Sequence, residues 1–173
     1  PRYDSVNFVQ QVSTKKAYQW QPNAPATGNL ASSPSKGEDK REVKERRSHI
    51  AVVDYGVKYN ILRILGQIGC RATAVPCNAP ARDILALNPD GIVLSPGPGN
   101  PVLLDDMTDT VKNLIGKKPI MGICLGHQFI GKALGAKTFK LKFGHRGGNH
   151  PVRDLATSRV YITAQNHGYA LDA

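Results

Sequence analysis

All three glutamates, Glu38, Glu42 and Glu45, fall in the first 45 of 173 residues. Every carboxylate side chain after residue 45 is therefore an aspartate. Cysteine is scarce: Cys70, Cys77 and Cys124 are an odd number with no CxxC spacing. That argues against a disulfide framework and against a zinc site, and suits a reducing compartment, so a cytoplasmic location is expected. No apolar run approaches the length needed to span a bilayer, so no membrane partner is expected. The opening "PRYDSVNFVQ" has neither a basic n-region nor an apolar h-region, which excludes a signal-peptide reading. It begins with proline, which suggests a fragment or a processed chain.

What the sequence has in excess is positive charge, +10 overall. The excess is spread rather than gathered: residues 1–50 hold nine Lys/Arg against five Asp/Glu, and the rest hold fourteen against eight. No helix-turn-helix signal or aromatic-rich platform accompanies it, so no nucleic-acid partner is expected. A solvated basic surface facing an acidic partner fits better. The hydrophobic share of 40% over this length supports one domain with its own core.

Two textures divide the chain. Residues 1–47 include the loop-rich "QPNAPATGNLASSPSKG" and the mixed-charge run "EDKREVKERR". They read as an interdomain linker and the end of a missing N-terminal domain, with "FVQQVSTKKAYQW" packing on something outside this chain. From residue 48, short apolar runs alternate with helical patterns. Strands are expected at 49–56, 70–77, 91–95 and 119–123. Helices are expected after the first, with Ile61, Leu62, Leu65 and Ile68 on its apolar face, then at 81–87, 105–116 and 126–135. This rhythm predicts an α/β fold with a doubly wound, mostly parallel sheet and helices on both faces. Beyond 136, "AKTFKLKF" and "RVYITAQ" read as strands around a Gly/His-rich loop, "GHRGGNHP".

Three segments carry the chemistry. In Gly122-Ile123-Cys124-Leu125-Gly126 a nucleophile candidate sits between small residues where a strand meets a helix. That is the pattern of a nucleophile elbow, whose tight turn pushes the side chain out at the carboxyl end of a parallel strand. The helix N-terminus favours a thiolate at Cys124, and the N–H of Leu125 is placed to donate to a developing oxyanion. The blander alternative is a small buried apolar cysteine; for Cys70 and Cys77 that alternative is preferred. "SPGPGNP" (95–101) also follows a strand, and no GK[ST] follows it, which rejects a Walker A loop. A third expected loop, "AQNHGYA" (164–170), follows a strand as well. His127, His145, His150 and His167 are the candidate bases; His127 lies in the nucleophile's own helix and is expected to project away from the crevice. None is followed two residues later by an acid, and only Asp154 and Asp172 follow Cys124. A cysteine–base–orienter triad cannot be assembled from these residues.

Taken together, "GICLGHQ", "SPGPGNP" and "QNHGYA" closely resemble a class I (triad) glutamine amidotransferase domain. More narrowly, "DYGVKYNILR", "KFGHRGGNHPV" and "VSTKKAYQW" are similar to the small, glutamine-hydrolysing subunits of carbamoyl-phosphate synthetases. The resemblance implies a flavodoxin-like layering, with residues 48–173 forming an amidotransferase domain that is incomplete at its C-terminus. It implies that Cys124 attacks glutamine to give a γ-glutamyl thioester and ammonia, with N–H groups of Gly97 and Leu125 as the oxyanion hole. Gly97, Gly99, Leu125, Gln128, Asn166, Gly168 and Tyr169 match positions that hold L-glutamine. Ammonia would pass to a large subunit that uses ATP and Mg to make carbamoyl phosphate for arginine and pyrimidine synthesis. The small subunit itself would need no metal or cofactor, and the assembly would be a heterodimer or larger. The family's catalytic histidine and glutamate lie in an H-P-E motif that these 173 residues lack. The resemblance therefore implies a chain truncated at both ends and inactive alone. Two rivals stay open: a degenerate, non-catalytic partner domain, and an unrelated thiol hydrolase.

Overall fold

The computed structural model describes residues 5–21 and 47–172. Most of the expected linker, including Glu38, Glu42 and Glu45, lies outside the described residues.

The centre of the molecule is β2 (His49–Asp54), buried at five of its six positions. It pairs in parallel with β3 (Arg71–Pro76) on one side and β4 (Gly91–Leu94) on the other. The short β5 (Ile120–Gly122) adds in parallel to β4. With β1 (Tyr18–Gln19) on the outer edge of β3, the sheet order is β1-β3-β2-β4-β5. A strand with helices over both faces must be apolar at consecutive positions, which is why "IAVV" has no polar alternation. Its side chains divide by parity. Ala51 and Val53 join a core with Ile84 of α3 (Ala81–Ala86), Met107, Val111 and Leu114 of α4 (Asp105–Leu114), and Leu125 and Phe129 of α5 (Leu125–Ala133). Val52 faces the other way, onto Leu62 of α2 (Tyr59–Gln67). Ile68, expected on the apolar face of α2, lies just past the helix end and is 68% exposed.

The segment expected to pack on something outside the chain packs on this domain. Val9 of the four-residue α1 (Val9–Val12) is fully buried in the main core. β1 (Tyr18–Gln19) pairs antiparallel with Thr73 and Ala74 of β3. Asp54 anchors the strap, accepting the Thr14 N–H at 2.8 Å, while Ser13 Oγ accepts the Cys77 N–H at 2.9 Å. Trp20 stacks on Tyr59 with ring centres 5.6 Å apart.

Beyond α5 the chain forms a separate two-stranded antiparallel ribbon of β6 (Lys137–Arg153) and β7 (Val160–Asp172). Both expected loops, "GHRGGNHP" and "AQNHGYA", lie inside these strands. Glycine and asparagine read as loop residues, but here they serve bulges. Pairing shifts between Lys140 and His145 and again between Gly147 and His150, and Gly144 and Gly147 take φ of 73° and 125°. The reversal falls instead at 154–159, where the Asp154 carboxylate accepts the Ala156 N–H and the Thr157 hydroxyl. The ribbon seats on α5 through Leu171, whose methyls fill the space beside Gly131.

Candidate active site

Cys124 joins β5 to α5 as the residue capping the helix, with φ 53° and ψ −107°. A non-glycine residue at positive φ stores strain, which persists only when the surroundings over-determine it. The two flanking glycines supply that determination. A Cβ on Gly122 would lie 2.5 Å from the backbone of Gly126 and His127, and one on Gly126 would lie 2.3 Å from the Leu94 carbonyl oxygen. Each would strike backbone, which cannot swing aside. The elbow is thus clamped between its own helix and β4.

The loop expected to supply an oxyanion donor is built from the end of β4. Ser95 is fully buried; its Oγ accepts the Tyr55 N–H at 2.9 Å and donates to the Pro96 carbonyl at 2.9 Å. This fixes the next residue, Gly97, against Tyr55. A Cβ there would lie 2.3 Å from the Tyr55 carbonyl oxygen and 2.9 Å from Leu125 Cδ2. Gly97 and Leu125, the two expected oxyanion donors, are therefore neighbours across the crevice floor. Gly99 has φ 103°, a conformation that favours glycine.

The ribbon supplies the remaining wall. The Cys124 thiol faces the Asn166 carbonyl at 3.8 Å, and Gln128, almost fully buried, donates its Nε2–H to the Tyr169 carbonyl at 2.8 Å. A cavity of about 290 Å³ is bordered by Gly97, Gly99, Cys124, Leu125, Gln128, Asn166, Gly168 and Tyr169 together, with Arg146. Every site residue expected from the sequence is brought to one place. This cavity shares Cys124, Gln128, Asn166 and Tyr169 with a larger crevice of about 820 Å³, which adds Lys58 and His127. His127 therefore borders the crevice instead of projecting away. The helix begins at the elbow, so a residue three positions on still faces its mouth. Lys58 follows the end of β2, and the rule that sites gather at carboxyl ends of strands is the signal that points to it. Nothing local marks Arg146, because its place depends on the pairing of β6 with β7.

Among the described residues no imidazole is hydrogen-bonded to the Cys124 thiol, which faces the Asn166 carbonyl. Both His167 ring nitrogens are engaged, Nδ1 with the Tyr169 carbonyl at 2.7 Å and Nε2 with the Gln165 side chain at 2.6 Å. His145 packs against His150 and His167, with ring centres 5.1 and 5.0 Å away. Among the described residues no carboxylate borders either cavity, and no cluster of three or more potential ligands could hold a metal ion.

The expected thiolate is also corrected. Burial pushes the Cys124 thiol up, outweighing the Leu125 N–H and the Lys58 charge, which pull it down. Folding thus binds this proton more tightly than the unfolded chain does. The associated stability is complete below the ordinary thiol pKa and is lost as pH rises through the raised one. Alkylation of Cys124 in this chain by a neutral electrophile is accordingly expected to titrate above free cysteine. A pH–rate profile with its midpoint at or below that of free cysteine would contradict this.

Comparison with known proteins agrees with this geometry. The family described as "Glutamine amidotransferase class-I" matches residues 51–173. The carbamoyl phosphate synthase small chain of Akkermansia muciniphila is 60% identical over 123 residues, covering 71% of this chain and 33% of that protein. The small chain of Yersinia pseudotuberculosis is 47% identical over 174 residues, covering 99% and 43%. The chain thus spans less than half the length of these curated relatives. Among solved structures, a candidate GMP synthase protein from Thermoplasma acidophilum superposes with a TM-score of 0.62 at 28% identity, covering 73% of this chain and 68% of its own. With the strained elbow, the glycine-clamped loop and a family match over most of its length, the chain belongs to the class I glutamine amidotransferases.

Proposed function

We propose that this chain is the glutamine-hydrolysing part of a carbamoyl-phosphate synthetase small subunit. One observation carries the reading: seven expected site residues from three chain segments border a single cavity of about 290 Å³ together with Cys124. The Cys124 sulfur adds to the side-chain amide carbon of glutamine, and the N–H groups of Gly97 and Leu125 hold the resulting oxyanion. The C–N bond then breaks, ammonia leaves with an added proton, and a γ-glutamyl thioester remains. Water hydrolyses it, releasing glutamate and restoring the thiol. The base that takes the thiol proton is, on this reading, the histidine–glutamate pair of the family's H-P-E motif. Ammonia passes to a synthetase partner in the cytoplasm, which uses ATP and Mg to form carbamoyl phosphate; the small subunit needs no cofactor of its own.

The test is to express the full-length protein with its synthetase partner and compare glutamine with ammonium salts as nitrogen donor. Carbamoyl phosphate formed from glutamine as well as from ammonia supports the reading. A complex that uses ammonia but never glutamine would sink it in favour of a non-catalytic partner domain. The one observation on that rival's side is that no carboxylate able to orient a base borders the crevice among the described residues.

A further inference from the structure

Arg146 lies on β6 directly opposite Asn166 of β7, in the short paired stretch between the two register shifts. Asn166 is the residue whose carbonyl faces the Cys124 thiol. The pairing thus delivers an arginine to the small cavity that holds the elbow. Its guanidinium is held by a hydrogen bond from Nη1 to the Phe143 carbonyl at 3.0 Å. The space beside that nitrogen exists because residue 144 is glycine; a Cβ there would lie 2.8 Å from Nη1. Among the described residues no carboxylate pairs with it. The cavity wall is likewise without acidic side chains.

A guanidinium that no described carboxylate pairs, on the border of a cavity that also holds the nucleophile, is suited to a substrate carboxylate, which it binds through charge-assisted hydrogen bonds. Lys58, the other cation, borders only the larger crevice and not the part shared with Leu125. Resting on the function proposed above, we infer that Arg146 receives the α-carboxylate of the amino-acid substrate. It makes the site specific for glutamine over simple primary amides.

The experiment uses the full-length protein in complex with its synthetase partner, and two substrates: L-glutamine, and its α-amide, in which a neutral carboxamide replaces the α-carboxylate. The wild type should prefer glutamine. R146M should raise KM for glutamine by roughly 10- to 100-fold, leave kcat little changed, and leave hydrolysis of the α-amide as it was. R146K should recover part of the loss. Arg146 is exposed, so folding should survive, and an unchanged melting temperature checks this. An unchanged glutamine KM in R146M, or an equal loss for both substrates, overturns the assignment while leaving the proposed function standing. A wild-type complex that hydrolyses neither substrate overturns both.

Discussion

Cys124→Ala in the full-length protein should abolish glutamine hydrolysis, lowering kcat by at least about 10³-fold. Ammonia-dependent synthesis by the partner should be untouched. The reason is local. The alanine inherits the same backbone at φ 53°, so the elbow keeps its strain and shape and loses only the sulfur. Ammonia release measured with each nitrogen donor separates loss of the nucleophile from loss of assembly. Residual hydrolysis within about tenfold of wild type would mean that another group attacks the amide. Cys124→Gly makes a sharper companion. It also removes the sulfur, but glycine accepts positive φ without a Cβ clash. This inactive variant should therefore be more stable than Cys124→Ala, by up to about 1 kcal/mol. That ordering, read by urea denaturation, would show strain held at the site for the sake of its geometry.

Gly97→Ala should be the most damaging change that leaves every functional side chain in place. The added methyl would sit 2.3 Å from the Tyr55 carbonyl oxygen and 2.9 Å from both Tyr55 Cβ and Leu125 Cδ2. Tyr55 cannot yield. It is fully buried, its ring packs edge-on against Phe129 at 4.8 Å, and its N–H is held by Ser95. The loop must move instead, carrying the Gly97 N–H away from the crevice. Loss of one oxyanion donor costs about 10²- to 10³-fold in kcat. Gly148→Ala, on the ribbon with nothing within 4 Å of the new methyl, is the matched control and should keep full activity. Steady-state kinetics of both variants decide the matter. If Gly97→Ala turned over normally, the loop would have no part in stabilising the transition state.

The alternating body of the fold was legible because its signals are local. β2, β3, β4 and β5 and the helices between them fall within two residues of their expected ends. Apolar runs with no alternation mark strands buried on both faces, and 3.6-residue spacing marks the helices. The elbow was legible for the same reason, since Gly-x-Cys-x-Gly spans only five residues. The ribbon was not. Its glycines and histidines carry loop composition, and only the pairing of residues 137–153 with 160–172 makes them strands. A two-stranded pairing leaves no periodic trace when its bulges interrupt the alternation. The strap at 8–20 was hidden for a similar reason. Four helical residues and two strand residues are too few to register as pattern, yet Val9 is fully buried.

The candidate nucleophile, its glycine-flanked elbow, the glycine loop at 95–101 and the parallel sheet that brings them to one edge could all be read from the residues alone. Each of these follows from a few contiguous residues and their backbone preferences. Tertiary structure alone decided which groups surround the sulfur. It brought His127 into the crevice, tied up both nitrogens of His167, and set Arg146 opposite Asn166. It also pushed the Cys124 thiol pKa up, because the cost of burying a charge exceeds the help of one N–H and one lysine. Solvation and proximity depend on every neighbour in space, and most of those neighbours are far away along the chain.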